Sequence, residues 1–526
     1  MSASEHSEHS VSEGSTHAKE HTYTHEHDEA GLPPRRKWLT VAAMLGAISG
    51  LNGTIVNTAL LSIARDFDAV SSMAWISIIN FLANTVSQPL YGKVSDIVGR
   101  RWPMTVAMIL FLVGSIMCAL SNGIILMVIA RFIQGLGGGG IMSLSSVILS
   151  DIIPATSIST YQSSLASVFS IASVIGPVLG GVFTESLNWR WCFYIAIIVG
   201  GINLVVFVVG FQDVMEKRAK RLQDVDFWGA ALFTASIILL LFGLSMGGTQ
   251  FSWSSAPIIS FLVVGMILLI AFVVVEARFA IDPIVSGTIL RNRAPFFGFI
   301  GTIAAAFAMF AGMLYLPTYL QLVKAESPAM AGVDILPLGA ALGISGFLCG
   351  FWLSRTRTFI LTASAGSICI VIGFALISIL DPASGEAIQI VALVVSGVGF
   401  GLVMAPLQLS AQLSVSKSEQ AMTITLISFA RQLGGVLGTG ICSAVYNQQL
   451  LVLADRLLGD QGRSIIMTFQ NSRDYRNVNA TVQGIFNTAL GLVFQISAGV
   501  AGAGLLASLA MSSRFPWKRR PESQDK

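Results

Sequence analysis

From Trp38 onward the sequence returns repeatedly to apolar runs of about twenty residues, each long enough to cross a hydrocarbon layer roughly 30 Å thick as an α-helix. A chain built this way meets a bilayer as helices, because only there is every backbone N–H and C=O satisfied within its own segment. Charge is correspondingly scarce: Asp, Glu, Lys and Arg make up 11% of the 526 residues while 54% are hydrophobic, against roughly 25% charged in an ordinary soluble domain. A water-facing globule is excluded. The first run starts too late and precedes too many others to be a cleaved signal peptide, so it is read as a retained span. The net charge of +3 gathers on no basic face, so nucleic acid is not an expected partner.

Fourteen spans are predicted: 39–61, 74–91, 103–121, 124–146, 161–184, 192–211, 227–246, 256–275, 296–320, 332–353, 359–380, 387–408, 421–446 and 484–510. An even number puts both termini on one side, and the basic residues decide which. With the N-terminus in the cytosol, the inner segments hold most of the 31 Lys and Arg residues, among them Lys93, Arg100, Arg101, Lys217, Arg218, Lys220 and Arg221. The outer loops hold Arg65, Arg190, Lys324, Arg456, Arg463, Arg473 and Arg476, and Arg131 and Arg431 lie inside spans. This topology places the long segment 447–483 outside, with the sequon Asn479-Ala480-Thr481, a glycosylation acceptor on that face.

Residues 1–37 are rich in Ser, His and Glu, hold all six histidines of the chain and end in Pro33-Pro34-Arg35-Arg36-Lys37; they read as a disordered cytosolic tail. The cysteines (Cys118, Cys192, Cys349, Cys369, Cys442) lie in or beside apolar runs without CxxC spacing, so buried thiols are expected and no metal site. Gly135-Leu136-Gly137-Gly138-Gly139-Gly140 satisfies GxGxxG, but no strand precedes it, and a close helix contact is the better reading. No GxxxxGK[ST] sequence occurs, so neither ATP nor any other cofactor is expected.

Several motifs bear on mechanism. The inner loop after the second span reads Gly92-Lys93-Val94-Ser95-Asp96-Ile97-Val98-Gly99-Arg100-Arg101. Its glycines suit a tight reversal, Asp96 suits a helix cap or an arginine partner, and Arg100 and Arg101 anchor the loop at the inner leaflet. Span four holds Arg131-Phe132-Ile133-Gln134-Gly135, and an arginine that deep costs roughly 2.5–3.5 kcal/mol on insertion scales, so it needs a cavity or a partner. In span five, Ala172, Gly176 and Gly180 recur every fourth residue around Pro177 and Gly181, a face that admits another helix closely. Span thirteen holds Arg431-Gln432 beside a second such face, Gly434 and Gly438.

With Leu51-Asn52-Gly53-Thr54-Ile55-Val56-Asn57 in span one, Gln88-Pro89-Leu90-Tyr91-Gly92 closing span two and Trp189-Arg190-Trp191 after span five, the chain resembles the major facilitator superfamily. Within it, the chain is similar to the fungal fourteen-span drug:proton antiporters, a group that includes vacuolar basic amino-acid transporters. The resemblance implies an all-α major facilitator fold: six-helix bundles over 38–211 and 291–513, two inserted helices in 212–290, and a cytosolic tail at 514–526. It also implies a secondary transporter, not an enzyme, that exports small solutes by alternating access between the two bundles. Its partners would be a small-molecule substrate, the bilayer and protons.

Family members usually carry an acid where this chain has Asn52, which hydrogen-bonds but does not titrate. No Asp, Glu or His stands at the middle of any predicted span, so proton coupling is expected to be weakened or moved to an end-of-helix acid such as Asp334 or Glu185. The candidate substrate and coupling residues are Asn52, Asn57, Arg131, Gln134, Arg431 and Gln432. Two intramembrane arginines favour a neutral, zwitterionic or anionic solute over a cation. A vacuolar amino-acid transporter and a receptor that binds without transporting remain open beside the exporter; the absence of a recognisable acidic dileucine-type signal favours the plasma membrane.

Overall fold

The computed structural model describes residues 54–152, 175–211, 227–247, 251–278, 292–356, 358–415, 420–471 and 480–511. Within them every regular element is a helix, apart from one isolated bridge between Gly247 and Phe251. The α-helices in chain order are α1 (54–66), α2 (Met73–Val98), α3 (Arg101–Ala119), α4 (Ile124–Ile152), α5 (175–186), α6 (Trp191–Gly210), α7 (Phe227–Met246) and α8 (Ala256–Arg278). They continue with α9 (Arg293–Leu322), α10 (Pro328–Asp334), α11 (Leu336–Thr356), α12 (Phe359–Ser378), α13 (Glu386–Leu413), α14 (Gln420–Leu458), α15 (Gly462–Asn471) and α16 (Ala480–Ala510).

Ten segments among the described residues are long and apolar enough to cross a membrane: α3, α4, α6, α8, α9, α10 with α11, α12, α13, α14 and α16. α2 is long enough but less apolar, because it turns Ser77, Asn80, Thr85, Ser87 and Gln88 into the protein. Lipid-facing surface is plain on α8, where Val263, Met266, Ile267, Ile270 and Val273 are all exposed.

The packing follows small residues. α4 lies against α2 and α3, and its glycine run divides between them: a Cβ on Gly135 would strike the Asn80 carbonyl of α2, one on Gly137 the Ala107 carbonyl of α3. Helix backbones come this close only where both Cβ positions are empty or small. Elsewhere α3 packs on α6, α12 on α13 and α16, α11 on α13, and α9 on α13, α14 and α16. α7 pairs with α8 and also touches α2 and α14, while α14 itself reaches α2 and α4.

Three boundaries differ from the sequence reading. α2 runs through Gly92 to Val98, and the reversal falls on Gly99 alone, whose φ of +92° needs a residue without a Cβ. The span over 332–353 breaks at Ile335, separating the short α10 from α11. The segment 447–483 is partly helical: α14 continues to Leu458 and α15 follows. Asn52, Asn479, both tails and the side chain of Asp96 lie outside the described residues.

Candidate functional site

A cavity opens where α1 and α5 face α9 to α13. Thr54, Asn57 and Thr58 of α1 and Pro177 of α5 line one wall. The other wall is Met309, Gly312, Met313, Leu316 and Pro317 of α9, Ile335, Leu338, Gly339 and Leu342 at and after the α10–α11 break, and Phe374 and Phe400 from α12 and α13. No charged side chain is among them. The polar groups come from α1: Asn57 Oδ1 accepts a 3.1 Å hydrogen bond from Ser77 Oγ, which fixes its amide, and the buried Thr58 Oγ1 has no hydrogen-bond partner. An apolar pocket with a few polar groups on one side is the usual form of a small-molecule site.

Beside this cavity, at Pro177, α5 and α10 meet backbone against backbone, a contact referred to as the seal. A Cβ on Gly181 would collide with the Pro328 carbonyl, and one on Gly332 with the Pro177 carbonyl, so each helix has its glycine where the other's backbone passes. Ala329 N donates to Glu185 Oε2 at 3.2 Å, placing a carboxylate at the first turn of α10. On the same side α5 leans on α1, with Gly176 against Thr54 and Gly180 against the Ile55 carbonyl.

Beside the seal, the turn from α9 to α10 carries Glu326. Ala325 precedes it in the left-handed region at φ +57°, and the Glu326 N–H turns back to the Leu320 carbonyl at 3.1 Å. Its side chain lies next to Asp334, and one carboxylate oxygen, Oε2, is buried without a hydrogen-bond partner. Burial, then the neighbouring Asp334 carboxyl, push the Glu326 carboxyl up to about 8; Lys324 opposes the shift and Glu386 adds to it. Lys324 Nζ is held by the carbonyls of Pro382 and Ser384, at 3.2 and 2.7 Å.

The other residues singled out from sequence lie elsewhere. Arg131 is 2% exposed. Its Nε donates to the Ile76 carbonyl at 3.1 Å, and its Nη1 donates to Gln134 Oε1 at 2.6 Å, while Gln134 Nε2 donates to Ser115 Oγ at 2.8 Å. This polar chain ties α4 to α2 and α3. Gln432 joins α14 to α2, donating to Asn84 Oδ1 at 2.9 Å, and Arg431 beside it is half-buried. Neither arginine lines the cavity. Of the conformational motif residues, Gly92 has open space around it, Arg100 Nη1 bonds Ser95 Oγ at 2.6 Å, and Arg101 Nη2 bonds the Val208 carbonyl at 2.9 Å. All five cysteines are free, four of them buried and Cys369 half-buried.

Of the residues singled out from sequence, Asn57 and Pro177 lie in the cavity lining; its other lining residues and Glu326 were not among them. The only linear signal for Glu326 is a second acid shortly before Asp334 in a loop otherwise poor in charge.

The sequence profile of the Major Facilitator Superfamily matches residues 42–226 and 217–439. The efflux pump dotC of Dothistroma septosporum is 31% identical over 413 residues, covering 78% of this chain and 71% of that protein. The MFS-type transporter ucsD of an Acremonium species is 32% identical over 492 residues, covering 90% and 83%. Among solved structures, a bacterial homologue of the human lysosomal transporter Spinster, inward-facing and unoccupied, superposes with a TM-score of 0.60 at 13% identity, over 91% of this chain and 98% of that one. The xylose transporter XylE of E. coli, partially occluded and inward open, gives 0.54 at 15% identity over 93% and 99%. The chain therefore belongs to the Major Facilitator Superfamily and is a membrane transporter of small solutes.

Proposed function

We propose that this protein exports an uncharged, largely apolar small molecule from the cytosol by alternating access. The observation that carries the reading is the cavity: its walls come from separate stretches of the chain, the described residues that line it carry no charge, and α5 and α10 pack closely beside it. A permanent cation finds no counter-ion there, whereas an aromatic or aliphatic body finds Met309, Met313, Phe374 and Phe400, with Asn57 and Thr58 to orient one polar group. Export as the direction is favoured by the names of the relatives, which include efflux pumps.

The architecture we infer has fourteen spans. α1, α2, α5 and α7 pack among the ten long apolar segments and bring the total to that number. Spans 1–6 (38–211) and 9–14 (291–513) are read as two bundles, with the α7–α8 pair of 212–290 between them. The excess of basic residues on inner loops supports cytosolic termini and puts the sealed end outside; the plasma membrane is the preferred location.

The test is export from yeast cells lacking their own drug pumps, loaded with Nile red as a neutral lipophile, tetraphenylphosphonium as a permanent cation, or carboxyfluorescein as an anion. Expression is expected to lower retention of Nile red and leave the other two unchanged. Export of the cation or the anion with Nile red retained would overturn the substrate class.

A further inference from the structure

We propose that Glu326 and Asp334 form the proton-binding site of the transport cycle, and that a proton held between them favours the form in which α10 is seated on α5. The proposal rests on the transport reading above and supplies the acid that the first span lacks.

Geometry is its basis. Asp334 is the last residue of α10, the helix whose first turn meets Gly181 and Glu185 and whose Gly332 abuts Pro177. The carboxyls of Glu326, in the turn before α10, and Asp334, its last residue, are neighbours and cannot both ionise cheaply, so α10 seats most easily when one is protonated. The Glu326 Oε2 atom is buried with no partner, which suits a protonated carboxyl and costs an ionised one. A second buried group lies near Glu326: Tyr319 is 2% exposed, its hydroxyl has no hydrogen-bond partner, and its charged neighbours are Asp381 and Glu326. A hydroxyl left unsatisfied there is a natural neighbour for a proton or water entering the site.

The groups around Glu326 are Asp334 on α10, Lys324 in its own turn, Tyr319 on α9, Glu386 at the start of α13 and Asp381 in the turn before it; Glu185 on α5 faces the other end of α10. Lys324 is engaged by two carbonyls, and the remaining charges are negative. Asp334 also accepts from Gln389 Nε2 at 3.1 Å, whereas Glu326 Oε2 has no partner, so Glu326 is taken as the group that receives the proton.

The sign follows. In the sealed form burial, then the Asp334 carboxyl, push the Glu326 carboxyl up to about 8, from 4.5 for a free one. Below the free value the proton is bound in either form and the seal gains its full preference. As pH climbs from there toward 8 the sealed form loses ground.

The experiment is pulsed EPR on the full chain in liposomes, with genetically encoded spin labels at Ser186 and Met330, both exposed, at stepped pH in sodium-free and sodium-containing buffer. A short distance at acid pH giving way to a longer one as pH rises is expected for the wild type, in both buffers alike. Glu326→Gln should keep the short distance at every pH. Asp334→Asn should move the transition down by about one pH unit or more, since it removes the like charge; it also serves should the Glu326 variant fail to fold. A distance unchanged by pH in the wild type, an unaltered transition in both variants, or a response to sodium instead of pH would overturn the proposal. No transported solute is needed, so a pH-responsive seal in a protein that exports none of the dyes would sink the export reading alone. Nile red export with a pH-blind seal would sink this site alone.

Discussion

Arg131 is a buried charge whose needs are met inside the protein. Its guanidinium spans from α4 to the Ile76 carbonyl on α2, with Gln134 holding a second nitrogen. Only the planar fork of arginine serves both acceptors at once; an ammonium on a flexible stem reaches one at best. Arg131→Lys is therefore expected to lower the stability of the detergent-solubilised protein by about 1–3 kcal/mol, read from thermal unfolding, because a buried acceptor loses its donor. The solute preference of the protein that stays folded should not change. A lysine variant of wild-type stability with altered handling of carboxyfluorescein would make Arg131 a substrate residue instead. The sequence marked this position through the rarity of charge in a span, but whether such an arginine clasps or binds depends on a carbonyl 55 residues away, which no local pattern reveals. Glu326 is the reverse case: its surroundings are made by Asp334, Glu386 and Tyr319, and in the linear sequence it is one more loop acid.

Among the elements, α5 and α10 show how far a small-residue stripe can be read. The spacing of Ala172, Gly176 and Gly180 announces a close helix contact, and α1 makes it, with its Ile55 carbonyl over Gly180. Gly181 falls outside that stripe and faces α10 instead. α10 has seven residues, two turns, too few for hydrophobic periodicity to register; Ser327 caps it and Pro328 opens it, signals that only locate a helix start. Placing a branched side chain at Gly181 forces it into the Pro328 carbonyl, and overpacking of that kind costs about 1–3 kcal/mol. Because the cost falls only on the sealed form, Gly181→Val should reduce that form's share by roughly one to two orders of magnitude and lengthen the Ser186–Met330 distance even at acid pH. Gly201→Ala on α6, with open space around the new methyl, is the control and should leave the distance as it is. A valine variant that keeps the wild-type distance would mean that the seal bears no load at Gly181.

For the molecule as a whole, the run of apolar segments sufficed for the fold class, and the glycine and arginine motifs sufficed for the superfamily, since both are local in sequence. The cavity was not legible, because its lining is drawn from six helices and the α10–α11 break at positions that share no linear pattern. Orientation remains an inference from basic residues, and the structure gives it a means of test. Gln483 Nε2, on the first turn of α16, donates to the Val323 carbonyl at 2.6 Å, and Asn487 Nδ2 to Asp381 Oδ1 at 3.3 Å. The start of α16 thus lies at the end of the molecule that carries Glu326 and the seal. Asn479 immediately precedes Ala480, the first residue of α16, so a glycan there reports which compartment faces the proposed proton site. Glycosylation machinery acts only on the lumenal side. The wild type is expected to show an endoglycosidase-sensitive band that Asn479→Gln abolishes, while a sequon appended after Lys526 stays unmodified. Modification of the appended sequon, with none at Asn479, would invert the molecule: the sealed end would face the cytosol, and Glu326 would answer to cytosolic pH.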